Sequence, residues 1–214
     1  NDINSAINAA LPGDTVLVAP GSYNEQLRLR DGVNVISEKP LQAILRATGV
    51  AVSGEDLKAG RLEGFRIQPD DSLSLLTGIQ LTNCAAEIVD NYIGSTETAG
   101  VDLTNSPGTV IRANRILPKS HTAIMIGGDG NGPRIVGNEL SAEGQAAVVV
   151  NGTARPVVTG NVIRATEILF PAGQSDLKEL LRENVVLTPQ TPPSDTRAIS
   201  GGPTGKKNAP PRVR

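Results

Sequence analysis

The sequence predicts an all-β fold, a parallel β-helix in which coils of about 23 residues stack into a solenoid. Three observations point to it. An apolar–x–Gly–Asn–x–apolar phrase occurs at Ile135–Leu140 and returns at Val158–Ile163, with close variants at Ile88–Ile93 and Ile111–Ile116. The asparagines of these four copies, Asn91, Asn114, Asn138 and Asn161, lie 23, 24 and 23 residues apart. The 214-residue chain also has no Trp, two Tyr and two Phe, so Val, Ile and Leu must build its interior almost alone. Such a core suits many thin layers better than one globular cluster.

Each copy alternates apolar and polar residues as a short strand does. A second alternating phrase falls between the copies, at Gly78–Asn83, Gly100–Asn105, Ala123–Ile126 and Ala147–Asn151. Strand, turn, strand and turn, with room for a third short strand, fill one coil. No leucine frame or helix recurs, which sets a leucine-rich solenoid aside. Coils stacked about 4.8 Å apart align aliphatic columns facing inward: Ile79/Val101/Ile124/Val148, Leu81/Leu103/Ile126/Val150, Leu62/Ile88/Ile111/Ile135/Val158 and Ile67/Ile93/Ile116/Leu140/Ile163. The phrase Leu62–Ile67 is a weaker copy with Phe65 in the Asn place. An asparagine at a turn accepts left-handed backbone, and its amide can bond to the backbone and to the asparagine one coil away. Ordinary turn asparagines share much of that physics, but four in register favour an internal ladder.

Open solenoid ends expose strand edges and need covers. Ile3, Ala6, Ile7 and Ala10 fall on one helical face and suit a cap on the first coil. Ser175–Glu183 reads as a short helix closing the far end, started by Ser175 or Asp176. Residues 1–187 therefore form the β-helix domain with its caps, and 188–214 form a Pro/Gly-rich basic tail or linker.

The opening of the chain carries a family resemblance. Ile3-Asn-Ser-Ala-Ile7, Gly13-Asp-Thr-Val-Leu-Val18, Pro20-Gly-Ser-Tyr-Asn-Glu25 and Gly32-Val-Asn-Val-Ile36 resemble the start of right-handed parallel β-helix proteins of the pectate-lyase-like superfamily. Residues 23–37 are also similar to β-helical regions that follow the kinase domain in some bacterial serine/threonine kinases. The resemblance covers roughly residues 3–165 and implies a single-stranded, right-handed coil. It leaves activity open, because the superfamily holds lyases, hydrolases, epimerases, adhesins and inert scaffolds.

A net charge of −2 and a pI near 5.5 argue against a nucleic-acid partner. No apolar run reaches the roughly 18 residues of a membrane span, so no membrane contact is expected within the chain. The single cysteine, Cys84, excludes an internal disulfide and aligns with the turn residues Ser106 and Asp129. The start at Asn1 suggests an excised or processed chain, and the resemblance favours an extracellular or periplasmic setting.

Enzymes of this fold would be expected to gather acids with Arg, Lys or His on outward columns. The column expected from the best-defined strand is Ala51, Gln80, Asp102, Met125, Val149, with one carboxylate. A second, Arg66, Tyr92, Arg115 and Glu139, combines cations, an aromatic and an acid. It reads as a structural stack that could also bind an anion or uronic acid. His121, the one histidine, reads as a surface-turn residue, and no multi-histidine metal site can form. Gly127–Gly132 reads as a long glycine turn, since a strand and not a helix follows it. Gly201–Lys207 lacks the spacing of a phosphate loop. Asn151-Gly-Thr153 matches a glycosylation sequon by a pattern that chance often supplies.

Two functions follow. One is a non-catalytic sensor, binding or scaffold module of a larger bacterial protein, in one version the ectodomain of a receptor-type kinase. It would need no cofactor, and its partner would be a polysaccharide or another protein. The other is a polysaccharide lyase or glycoside hydrolase on an acidic polymer, with Asp102 and Arg115 as catalytic candidates and calcium if it is a lyase.

Overall fold

The structure, a computed structural model, describes residues 2–71, 73–119, 121–169 and 182–187, with the backbone alone at 143–145 and 166–169. The predicted helix over Ser175–Glu183, apart from its helical last residues Arg182 and Glu183, and the tail over 188–214 lie outside them.

The strands form three parallel stacks around one interior. The first stack has seven strands in the order β1-β4-β7-β10-β13-β16-β18. They are β1 (Thr15–Val18), β4 (Asn34–Ser37), β7 (Arg61–Glu63), β10 (Glu87–Val89), β13 (Val110–Arg112), β16 (Asn131–Val136) and β18 (Arg155–Thr159). The second holds β2 (Gly21–Asn24), β5 (Ala43–Ala47), β8 (Phe65–Pro69), β11 (Tyr92–Gly94) and β14 (Arg115–Leu117). The third holds β3 (Leu27–Arg28), β6 (Gly49–Glu55), β9 (Leu75–Thr82), β12 (Ala99–Thr104) and β15 (Thr122–Gly128). The 14-residue β17 (Glu139–Gly152) rounds the corner, pairing with β14 at one end and β15 at the other. Beyond it, β19 (Val162–Leu169) and β20 (Val185–Leu187) extend the second stack.

All four predicted aliphatic columns are in register and buried. Burying each such side chain contributes about 1.5–3 kcal/mol. One expected outward position is wrong. Ala51 is fully buried, and Ser53 pairs with Gln80 in its stead. Ala51 instead heads a column of small corner residues continued by Gly78, Gly100, Ala123 and Ala147. The corner has no room for more: a Cβ on Gly100 would meet Ile116 Cγ2 and the Ala123 carbonyl oxygen at 2.1 and 2.7 Å.

The asparagines form the expected ladder inside the corner between the first and second stacks. Asn91, Asn114, Asn138 and Asn161 are each at most 2% exposed. Asn114 Oδ1 accepts both the backbone N–H of Asn91 (2.9 Å) and its side-chain amide (3.1 Å). Asn138 does the same for Asn114, and Asn161 for Asn138. Each Nδ2 also donates to a carbonyl one coil back, such as Asn114 to Ile88 at 2.8 Å. The ladder has a fifth rung at Asn184, whose Oδ1 takes both donors of Asn161 at 2.9 Å. At the other end the N–H of buried Phe65 donates to Asn91 Oδ1 at 2.9 Å, and its ring fills the core.

The left-handed backbone is not at the asparagines but one residue earlier, at Gly64, Asp90, Ala113, Gly137 and Gly160, with φ between 52° and 74°. That residue reverses the chain, and the asparagine after it can then point inward. Gly127–Gly132 also departs from expectation. Gly127 and Gly128 pair with Asn151 and Gly152 as strand, which leaves Asp129 and Gly130 alone as the turn.

The first coil is closed by α1 (Ile3–Ala9), with Ile3 and Ile7 buried. Glu25 accepts the N–H groups of Ile3 (2.9 Å) and Asn4 (3.2 Å), an anion at a helix N-terminus. Arg30 donates to the carbonyls of Ile7, Asn8 and Ala10 at the other end. Glu25 is thus explained by cap attachment, whereas Tyr23 donates to Ala19 O at 2.8 Å, in the turn between β1 and β2.

Asn114→Ala would strand the buried N–H of Asn91 and the Ile88 carbonyl. It should cost about 2–4 kcal/mol in urea unfolding, against under about 0.5 kcal/mol for the exposed-pair control Arg112→Ala. Similar midpoints for the two variants would mean that the ladder does not bear on stability.

Candidate functional site

The ladder turns its corner so tightly that side chains on the flanking strands overhang it. A groove of about 570 Å³ results, lined by Glu63 and Asp90 from the first-stack side and by Arg66, Tyr92 and Arg115 from the second. Gly64 and Ala113, small residues at the left-handed positions, leave its floor open.

The register of β8, β11, β14 and β17 places Arg66, Tyr92, Arg115 and Glu139 in one outward column, as predicted. The Arg66 guanidinium lies over the Tyr92 ring, 4.9 Å from its centroid, a cation–π contact worth about 0.5–1 kcal/mol at such a site. The phenol ring lies down along its own strand because residue 94 is glycine. A Cβ there would sit 2.7 Å from Tyr92 Cε1 and 2.9 Å from its oxygen. Further along, Glu139 is bridged by Arg115 Nε at 3.1 Å and by Arg164 Nε at 3.5 Å.

The charges of the groove are unequal in their freedom. Glu63 is held by Arg61 at 2.7 Å, within a network that continues through Glu87 to Arg112. Among the described residues, Arg66 and Asp90 enter no ion pair. Sequence reasoning missed Glu63, Asp90 and Gly94. Asp90 was visible as the residue before a ladder asparagine, and Gly94 as the glycine two after an outward tyrosine. Nothing in one dimension brings Glu63 to them.

Asp102 and Arg115 do not come together. Asp102 belongs to the third stack, in the corrected column Arg28, Ser53, Gln80, Asp102, Met125, Val149, where Gln80 Nε2 donates to it at 3.4 Å. Arg115 is on the second stack, beside Tyr92 and Glu139. Among the described residues no group of three or more His, Cys, Asp or Glu could hold a metal ion, and no helix is long and apolar enough to cross a membrane. His121 is exposed. Cys84 is 2% exposed, its N–H bonded to Ser106 Oγ, and burial pushes its thiol pKa up. It is structural. Asp129 spans two coils: the hydroxyl and N–H of Thr153 bond its carboxylate and hold it below the usual range.

Gly94→Ala should displace the Tyr92 ring while leaving the fold intact, since an outward Ala in a strand is tolerated within about 1 kcal/mol. With no Trp in the chain, a Tyr23→Phe background makes Tyr92 the sole tyrosine. Its near-ultraviolet circular dichroism should change on adding Gly94→Ala. An unchanged spectrum would show that the glycine does not seat the ring.

No curated protein matches the chain in sequence. Among solved structures, it is similar to a pectin methylesterase from Yersinia enterocolitica, with 14% identity and a TM-score of 0.47, over 81% of this chain and 68% of that one. It is also similar to the A-module of the mannuronan C-5 epimerase AlgE6 from Azotobacter vinelandii, with 13% identity and a TM-score of 0.34, over 76% and 67%. The model of the right-handed β-helix region matches residues 47–175, more than half of the length. With its stacked parallel coils, the chain belongs to the right-handed β-helix family.

Proposed function

We propose that this chain is a non-catalytic binding module whose groove takes a saccharide carrying a carboxylate, such as a uronic acid. The observation that carries the reading is the Arg66–Tyr92 pair. A guanidinium with no acidic partner among the described residues is held over an aromatic ring in an open groove. Arginine offers a planar fork that fits a carboxylate, and the phenol ring beneath it holds that fork in place by its cation–π contact. The acids nearby are poorly suited to catalysis. Glu63 is tied to Arg61, Glu139 lies between two arginines, and Asp102 stands on another stack beside Gln80 and Met125, so Asp90 is left in the groove without a second free carboxylate among the described residues. Glycoside hydrolysis needs a free pair of carboxylates facing one bond. On the resemblance of residues 23–37, the module would serve as the ligand-sensing part of a bacterial receptor-type serine/threonine kinase.

Calorimetric titration with oligogalacturonates and with neutral oligosaccharides of equal length tests this. The acidic series should bind and the neutral series bind far more weakly. Arg66→Ala should weaken binding roughly 10- to 100-fold, the loss of a charged hydrogen bond of about 1.5–3 kcal/mol. Tyr92→Ala should weaken it about 10-fold, and Asp102→Asn should change neither affinity nor stability. Release of unsaturated or reducing ends, with or without calcium, that Asp90→Asn or Asp102→Asn abolishes would overturn the proposal in favour of an enzyme.

A further inference from the structure

The groove is dipolar across the corner. Its charged lining is Glu63 and Asp90 on the first-stack wall and Arg66 and Arg115 on the second-stack wall, so two acids face two cations and the net charge is zero. The nearest ion-pair partners of Glu63 and Arg115, Arg61 and Glu139, cancel as well. Among the described residues each wall keeps one uncommitted charge, Asp90 on one and Arg66 on the other, and these two do not pair with each other. The register explains why Asp90 stays free. Val89 stands between Glu63 and Arg112, which puts Gly64 and Ala113 on either side of Asp90. Neither neighbour has a side-chain group that can bond a carboxylate. The turn does not require an acid either: φ at Asp90 is 52°, and Gly64, Gly137 and Gly160 serve the same left-handed position in other coils.

We infer that the groove takes a zwitterionic saccharide, a uronate that also carries an ammonium group, with its carboxylate toward Arg66 and its ammonium toward Asp90. The inference rests on the groove reading and adds the second charge of the ligand. A simple uronate satisfies half of the arrangement, since it meets the free guanidinium but also a like charge at Asp90. A ligand with both charges turns that repulsion into attraction and lays its dipole along the field between the walls. In a 2-amino-2-deoxyhexuronate the two groups leave opposite edges of the ring, because C2 and C5 lie across it from one another. Arg66 and Asp90 are likewise set apart by one coil, about 4.8 Å along the solenoid, and by the corner between the stacks. The Arg66 fork, seated over Tyr92, donates to the sugar carboxylate, and the Asp90 carboxylate accepts from the ammonium. At about 570 Å³ the groove is within the range of about 300–1,000 Å³ that small-molecule sites occupy.

Four methyl glycosides, titrated calorimetrically into the full chain at low salt, separate the two charges: galacturonic acid, 2-amino-2-deoxygalacturonic acid, the N-acetyl form of the latter, and galactosamine. The amino-uronate should bind about 10-fold more tightly than each of the other three, which lack one charge or the other. Asp90→Asn keeps the size of the side chain and its tolerance of left-handed backbone, so the thermal midpoint should hold. It should abolish the advantage of the amino-uronate over its N-acetyl form. By removing a like charge it should also strengthen galacturonic acid about 2- to 3-fold. Arg66→Ala should weaken the three carboxylated sugars and not galactosamine. Equal affinity of the amino-uronate and its N-acetyl form, or an advantage that survives Asp90→Asn, would overturn the zwitterion and leave the groove reading standing. If no carboxylated sugar binds in a manner sensitive to Arg66→Ala, both fall.

Discussion

Each coil after the third has to turn the same corner in two residues, and one buried amide per coil makes that possible. A left-handed residue reverses the chain, and the asparagine after it turns inward, where water cannot satisfy the backbone. Its oxygen takes two donors from the coil before, and its nitrogen returns a bond to that coil's carbonyl. Buried polar groups with such partners hold their neighbours to one geometry, whereas a half-satisfied set would be worse than an apolar corner. The ladder therefore sets both register and stacking distance. The aliphatic columns supply most of the energy, but β-branched side chains alone would not forbid a slip. A slip by one residue would strand an amide at every rung.

The surface inherits that register. Arg66 meets Tyr92, and Arg115 meets Glu139, because their neighbours Ile67, Ile93, Ile116 and Leu140 are locked in one inner column. Spacing along the solenoid is therefore fixed, and a ligand has to match it. Where the chain needs a side chain to lie flat, it removes a Cβ: Gly94 beneath Tyr92 is the outward counterpart of Gly100 beneath Ile116.

How much of this could be read in one dimension depended on whether neighbours in space share a column. Strand alternation and a constant period assign columns, so the core, the ladder and the Arg–Tyr–Arg–Glu stack were all readable. Ala51 was misplaced because the coil from Ser53 to Gln80 is 27 residues long, against 22 to 24 in the next three coils, so the constant period does not carry the column back to its true member. The left-handed position was assigned to the asparagine because both carry turn propensity; the Gly, Asp and Ala before it share no side-chain chemistry, only a backbone angle. Asn184 stands 23 residues after Asn161, yet the helical pattern of Ser175–Glu183 drew attention away from it. Glu63 and Asp90 reach the groove across a corner, and that proximity belongs to turn geometry and not to any period.

Solenoid stability is close to a sum of coil and nearest-neighbour terms, and here those terms lie almost wholly in inward side chains and the ladder. The outward columns are mostly half-exposed ion pairs, each contributing under about 1 kcal/mol. An outward residue can therefore change with little effect on the fold. Within the outward surface, Arg66 and Asp90 stand apart, charged, in a groove and unpaired among the described residues. An unpaired arginine seated on a ring gains little for folding that a smaller residue would not also supply. On the proposed reading its contribution comes from a ligand bound in the groove beside the ladder corner.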